Sequence, residues 1–476
     1  NKLEKPNMGF TLFNCTNIIY ATGGPAGMYL TSVYPESQTG ASGVAFEAGA
    51  RGINLTESQY GLASIKFRWN LSGTYQQVIP RYVSTNHDGS DEKEFLEEYF
   101  ESPGKMLDDI FLKGYQWPFD PRKVENFGSS IIDILVYNET QIKGRRVFLD
   151  FTKNPSWGSK NGELDFSLLG EEAYNYLKNS GALFGTPIQR LQKMNQPAID
   201  LYKNNGIDLA KEYLEIAVCA QHNNGGLAGN IWWESNIKHL FPVGEVNGTF
   251  GVYRPGGTAL NSTQVGSLRA AQYITANYME DPVATEEFVN LVGRQVIEKV
   301  ETAKRYVSNK CSSSNIQQMR KSFQVRMTRA GDHIRSLEGV TAAIKDCLKD
   351  MKEFDNNVKV SGIKDLPHVF KNRDILISQF VYLNAIKEYI EKGGKSRGSY
   401  LVRDEKGKLP IPGLPEEFRF SLDNGELLNL TCEMELLKEN GEYKCRAYWK
   451  PVRPVPSEDN WFENVWNAYM RKEIIV

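Results

Sequence analysis

The stretch Ala220–Ile274, AQHNNGGLAGNIWWESNIKHLFPVGEVNGTFGVYRPGGTALNSTQVGSLRAAQYI, decides how the chain is read. It gathers His222, His239, Glu245, Arg254 and repeated glycines around short apolar runs. Phe241-Pro242-Val243 reads as a brief buried strand that Gly244-Glu245 breaks. Arg254 leads Gly256-Gly257, and Thr258 to Ile274 has the small-residue spacing of a helix. A strand, a glycine turn and a helix N-terminus together offer a site for an anionic or polar ligand, because unpaired backbone N–H groups point outward there. The same pattern fits a glycine-rich loop closing a packed α/β unit, and spacing alone does not separate the two.

At 476 residues the chain exceeds one core, and about 100–200 residues per domain predicts two to four. The net charge of −2 leaves no electrostatic footprint for nucleic acid or an anionic membrane. No apolar run approaches the ~18 residues of a membrane span. The six cysteines (Cys15, Cys219, Cys311, Cys347, Cys432, Cys445) have no metal-site spacing, which predicts buried free thiols, a cytoplasmic protein and no metal. The chain opens on Asn1 with nothing resembling a signal peptide, and the expectation is a fragment or a processed chain.

Asn17 to Thr22 is a β-branched run predicted to be a buried strand, and it stops at Gly23-Gly24-Pro25. Gly40 to Ala50 has the small residues of a helix lying close against a sheet, and Ile53 to Leu62 reads as another strand. In Asp120-Pro121-Arg122 the proline predicts a helix start, with Val124, Phe127, Ile131, Ile134 and Leu135 on its apolar face and Arg122 in its first turn. Arg145 to Phe151 reads as a strand. Beyond Asp281 the chain turns helical, with a stripe through Phe288, Val292, Val296, Val300, Ala303 and Val307. Helices over 316–337, 340–354 and 373–392 follow, predicting a three- or four-helix bundle. Leu428 to Trp449 alternates like a hairpin around Glu439-Asn440-Gly441, Pro454-Val455-Pro456 ends it, and Trp461, Phe462, Val465 and Trp466 form a last apolar anchor.

This order of signals resembles the flavoproteins of succinate dehydrogenase, fumarate reductase and L-aspartate oxidase. Ile19-Tyr20-Ala21-Thr22-Gly23-Gly24 is similar to the Ala-Thr-Gly-Gly turn of their FAD-binding domain, and Thr39 to Ala50 to the helix after it. Gln221 to Leu227, Phe241 to Val246, Tyr253 to Leu260 and Lys395 to Ser399 resemble four further family segments in series. Asp120-Pro121-Arg122-Lys123-Val124 resembles the segment whose arginine passes a proton to substrate, and Leu149 to Thr152 the strand after it. The resemblance implies α/β and α+β multi-domain architecture. A partial Rossmann-like FAD-binding domain (1–65 and 216–280) is interrupted by a capping domain (66–215), then followed by a helical domain (281–400) and a C-terminal hairpin and anchor (401–476).

It also implies function: a FAD-dependent oxidoreductase moving a hydride between flavin and a carboxylate-bearing substrate. Arg122 is then the proton carrier, with His222 and Arg254 orienting the substrate. Ala21, Thr22, Gly23, Gly24, Gly244, Glu245, Gly256, Gly257, Thr258, Ala259 and Leu260 line the flavin, Glu245 accepting its ribityl hydroxyls. The chemistry asks for these types: charge developing on a carboxylate-conjugated carbon wants fixed cations and an acid nearby, and arginine clamps carboxylates in bidentate fashion. Histidine brings a hydrogen bond with tunable charge. His87, His239, His333 and His368 lack such company and read as surface or internally satisfied residues.

Two departures set expectations apart from the family. Where it carries a substrate-binding histidine and threonine, this chain has Gly61 and Ala63 within Gln59–Ser64, room for a larger or less anionic substrate. That segment keeps open an adenylylsulfate-reductase-like or amino-acid-oxidising alternative. The GxGxxG unit for the FAD pyrophosphate is absent from these residues, so half of the cofactor site is missing and covalent attachment is undecidable. A complementary chain, an electron-transfer partner or a non-catalytic assembly role are the corresponding partner expectations.

Overall fold

A computed structural model describes residues 2–453 and 461–471; the expectation at Pro454-Val455-Pro456 lies outside the described residues. Strand Ile18–Tyr20 pairs in parallel with Leu240–Pro242, Ile18 opposite Leu240 and Tyr20 opposite Pro242. Both strands therefore end at one place, the Ala21–Gly24 turn beside Gly244-Glu245. Leu240–Pro242 is buried as expected, but Ile18 and Ile19 are 50% and 55% exposed. The expected buried strand is thus the open edge of a two-stranded parallel pair.

An antiparallel five-stranded sheet runs Trp69–Asn70, Ser58–Ser64, Leu214–Asn223, Arg146–Asp150, Arg81–Thr85. It takes strands from 1–65, from 66–215 and from the segment crossing 215, which ties residues 66–215 to their flanks by backbone hydrogen bonds. Gly52–Ile53 and Gly226–Leu227 join the C-terminal hairpin Leu430–Glu439 and Glu442–Pro451 in a four-stranded sheet. Asn440 and Gly441 both take positive φ at its tip, the conformation that favours Asn-Gly in two-residue hairpins.

Helices Thr285–Ser308, Ile316–Gly331, Leu337–Asn357 and Leu366–Glu391 form the helical layer. Leu366–Glu391 is buried around most of its circumference, which makes it the axis of that layer. The small residues near Gly43 serve this helix first, while their own short helix, Ser42–Glu47, also touches strands Gly226–Leu227 and Leu430–Glu439 of the four-stranded sheet. A Cβ on Gly43 would lie 2.3 Å from the Asp374 carbonyl oxygen, and Asp374 Oδ1 accepts the Val44 N–H at 2.9 Å. Helix Ser42–Glu47 is therefore capped from another helix, at a backbone approach only glycine allows.

Three further expectations change. The helix expected from Pro121 breaks into short turns at Pro121–Lys123 and Glu125–Phe127, because Asn126 and Phe127 take positive φ; regular helix begins at Ile131. Helix Trp461–Met470 buries none of its side chains, with Phe462 65% exposed, where a buried apolar anchor is expected. Cys15 and Cys311 are exposed thiols, and only Cys219 and Cys347 are fully buried. No helix among the described residues is long and apolar enough to cross a membrane.

Candidate active site

The turn after Ile18–Tyr20 packs on the turn after Leu240–Pro242. A Cβ on Gly24 would lie 2.6 Å from Glu245 Oε1 and 2.9 Å from Asn223 Oδ1. Gly23, at φ +72°, sits against Gln38, whose amide donates to Thr22 O at 2.8 Å. Helix Thr258–Asn277 starts beside them: Gly257 is its left-handed N-cap, with no side-chain cap, and position 244 faces Thr263. No atom lies within 4 Å of where a Cβ on Gly256 or Gly257 would stand. The predicted ligand-lining residues Ala21–Gly24, Gly244, Glu245 and Gly256–Leu260 thus gather at the carboxyl ends of two parallel strands, before an open helix N-terminus. This is where open α/β sheets bind ligands.

Glu245 is not idle. Its Oε1 accepts the Asn223 N–H at 2.8 Å and the Tyr34 hydroxyl. Burial pushes its pKa up, against those hydrogen bonds and the Arg254 charge. His222 Nε2 stands 4.0 Å from the same oxygen, and its Nδ1 is 3.0 Å from Asn224 Oδ1. With that oxygen accepting, Nδ1 carries the proton and Nε2 is an acceptor. Burial first, and the Arg254 charge second, push His222 down to about 4. The tunable charge expected of His222 is therefore held neutral at ordinary pH.

That neutrality has a measurable consequence. With a folded pKa of about 4, below the ordinary ~6.5 of the unfolded chain, the stability is complete above ~6.5 and is lost as pH falls through 4. The unfolding free energy should drop by about 3 kcal/mol over this window in the wild type relative to His222→Gln. Urea titrations of the two proteins at a series of pH values measure the difference.

Arg254 is fixed by Gln59 in a reciprocal pair: Nε donates to Gln59 Oε1 at 2.8 Å, and Gln59 Nε2 donates to Arg254 O at 3.2 Å. Arg122 lies with its guanidinium 4.0 Å over the Tyr253 ring, so the two arginines border one cleft of about 240 Å³ with Lys123, Trp117 and Ser399. Asp120 holds Arg122 through Nε–Oδ1 at 3.0 Å and Nη2–Oδ2 at 2.7 Å, and this hydrogen bonding raises the guanidinium pKa. Burial of Lys123 pushes its pKa down despite Asp120. Three cations stand against one carboxylate along the cleft, a balance of charge that favours an anion there.

Of the three residues expected to converge, Arg122 and Arg254 line this cleft, while His222 is not among its lining and stands beside Glu245. Sequence reading missed Gln59 as the clamp on Arg254, Asp120 and Tyr253 as the seat of Arg122, Tyr34 on Glu245, and Trp117. The dipeptide proximity of Asp120 to Arg122 was a usable signal; the others meet only through tertiary structure. The room expected at Gly61 and Ala63 is filled. The Trp117 indole packs on Gly61, while Ala63 is sealed among Ala217, Cys219, Val33 and Ile65. His333, expected at the surface or satisfied, is fully buried, with Nδ1 3.0 Å from Asp332 Oδ1 and Nε2 unpaired. Arg397 turns from the cleft to pair with Glu57 at 2.8 Å, while Ser399 accepts the Tyr60 N–H. Among the described residues no cluster could hold a metal ion.

No family model matches the chain. It is 26% identical over 234 residues to an uncharacterized FAD-dependent oxidoreductase of Methanocaldococcus jannaschii, covering 48% of this chain and 41% of that protein. It is 25% identical over 271 residues to one polypeptide of the fumarate reductase (CoM/CoB) of Methanothermobacter marburgensis, covering 56% of this chain and 40% of that polypeptide. The matched part is thus about two fifths of each relative's length. Among solved structures, a quinol-fumarate reductase with menaquinol superposes with a TM-score of 0.60 at 17% identity, over 92% of this chain and 67% of that one. Mycobacterium smegmatis Sdh1 in complex with UQ1 gives 0.60 at 15%, over 96% and 65%. The adenylylsulfate reductase of Archaeoglobus fulgidus gives 0.53 at 12%, over 92% and 68%.

Proposed function

We propose, on the premise that this chain has the fold of the fumarate reductase and succinate dehydrogenase flavoproteins, that it is the cap-bearing part of a FAD-dependent oxidoreductase acting on a small carboxylate. The observation that carries the reading is the cleft where Arg122 and Arg254 meet, next to the Gly24–Glu245 turn pair. The residues present fit the ribityl and ring half of the cofactor. Glu245 offers a carboxylate, Thr22 Oγ1 is buried without a partner, and the start of helix Thr258–Asn277 is uncapped and open.

Bound there, the flavin supplies the two-electron chemistry. This chain's residues do the rest. Arg254, aimed by Gln59, binds a substrate carboxylate. Arg122 is first a fixed cation facing charge that develops on the substrate, and a proton it releases returns through Asp120 from the exposed side. Neutral His222 accepts a hydrogen bond without adding charge. The cap segment carrying Arg122 is tied to strand Ser58–Ser64 where Phe119 N donates to Tyr60 O at 2.8 Å, which fixes the position of the arginine over the cleft. A cleft of about 240 Å³ suits a small organic acid better than a nucleotide.

The open edge of Ile18–Tyr20 supports a further unit, in the same gene product or in a partner, that adds strands there and completes the pyrophosphate half. The absorption spectrum of the purified protein tests the reading. A flavin band supports it, and a colourless protein that takes up no added FAD favours a non-catalytic assembly role.

A further inference from the structure

A second cavity, of about 330 Å³, shares no lining residue with the arginine cleft or with the turns at Ala21–Gly24 and Gly244-Glu245. One wall is the loop from Ala26 to Thr39, and the other is formed by helices Ile316–Gly331 and Leu366–Glu391. The loop is fixed at three points. A Cβ on Gly27 would lie 2.7 Å from Thr39 Cα, Gln324 Nε2 donates to Gly27 O at 2.9 Å, and Val33 N donates to Ala220 O at 3.1 Å.

Arg68, Arg320 and Lys371 line this cavity. Arg68 donates to Tyr34 O at 2.8 Å, and its one acid is Glu36 at 3.6 Å, largely exposed and therefore a weak partner. Arg320 is aimed by a buried side chain: its Nε donates at 2.8 Å to Asn372 Oδ1, and Asn372 is itself tied to Ile316 O. Among the described residues no carboxylate stands within ion-pair distance of Arg320 or Lys371. Burial pushes the Arg320 pKa down, opposed only by the Glu36 charge. Arg320 Nη1 and Lys371 Nζ have no hydrogen-bond partner, yet neither is sealed from solvent, so both remain open to a ligand. Half-buried cations without counter-charge are poorly solvated and repel one another, and a bound anion relieves both costs.

We propose that this cavity is a second binding site, for a small phosphate-bearing anion held by Arg320, Lys371 and Arg68. A phosphoryl group carries about −1.5 to −2 charge at pH 7, which matches three cations set against one exposed acid. Its oxygens diverge, as donors from three separate segments require. The volume suits inorganic pyrophosphate or a sugar phosphate better than a whole dinucleotide. None of this depends on the carboxylate reading of the other cleft.

Calorimetric titration of the flavin-loaded whole protein with inorganic pyrophosphate, at low ionic strength, tests the site. Wild type and Arg254→Ala should bind it equally, while Arg320→Gln and Lys371→Gln should each bind about tenfold more weakly. Lys371 has no partner to lose, so its variant serves if the arginine variant fails to fold. Pyrophosphate that wild type does not bind, or that Lys371→Gln binds as tightly as wild type, overturns the proposal. A loss in Arg254→Ala alone would put the anion in the carboxylate cleft and overturn it as well. Repeating the titration on flavin-free protein separates a free phosphate from the cofactor's own phosphates. Equal binding with and without FAD is expected; pyrophosphate bound only when FAD is absent would assign the cavity to the cofactor and sink the inference. The variants can be compared on colourless protein too, so failure of the flavoprotein reading is told apart from failure of this one.

Discussion

Replacing Arg122 by alanine in the flavin-loaded protein is expected to cut turnover by about 10³-fold or more while flavin stays bound. The guanidinium is held over Tyr253 and against Asp120, and no contact ties it to Gly24 or Glu245 among the described residues. Removing it takes away a fixed cation and the proton it can deliver, and leaves the cofactor side alone. Arg122→Lys should recover little, because an ammonium cannot reproduce the two-point contact with Asp120. Steady-state rates with a reducing dye, beside the flavin spectrum of each variant, check this. Wild-type rates in Arg122→Ala would remove the residue from the mechanism.

Arg254→Ala is expected to act on binding, raising KM for the carboxylate substrate about 100-fold, the scale of one lost charge-assisted pair. It carries a second readout that a general loss of structure would not produce. The Arg254 charge is one of the causes holding His222 down at about 4, so the variant should move the His222 titration upward, though not all the way, since burial is the larger cause. Proton NMR of the ring during a pH titration reports it. An unchanged His222 with a large KM effect would mean that Arg254 acts from elsewhere than the position described.

What the sequence made legible was local. Gly244-Glu245 ends a strand, and Gly256-Gly257 precedes a helix because backbone chemistry over a few residues determines both; each is found where the pattern puts it. Asp120-Pro121-Arg122 marked the cap arginine for the same reason. What stayed hidden depends on partners far along the chain. Gly61 looked like vacated space, yet Trp117 fills it. Gly43 looked sheet-bound, but its partner is the Asp374 backbone. The apolar periodicity through Val124, Phe127 and Ile131 is real, yet Asn126 and Phe127 at positive φ break the helix, a case of tertiary packing overriding a local pattern. The exposure of Ile18 and Ile19 was equally unreadable, because a β-branched run looks the same whether or not its covering layer is present.

In the function proposed above, the turns at Ala21–Gly24 and Gly244-Glu245, with the start of helix Thr258–Asn277, hold a flavin. The most direct test is the visible absorption spectrum of the protein expressed from its whole gene, before and after incubation with FAD, for the wild type and for Glu245→Ala. The prediction is a flavin band in the wild type that survives gel filtration and is weakened in the variant. A folded wild-type protein that remains colourless after incubation with FAD would contradict the account.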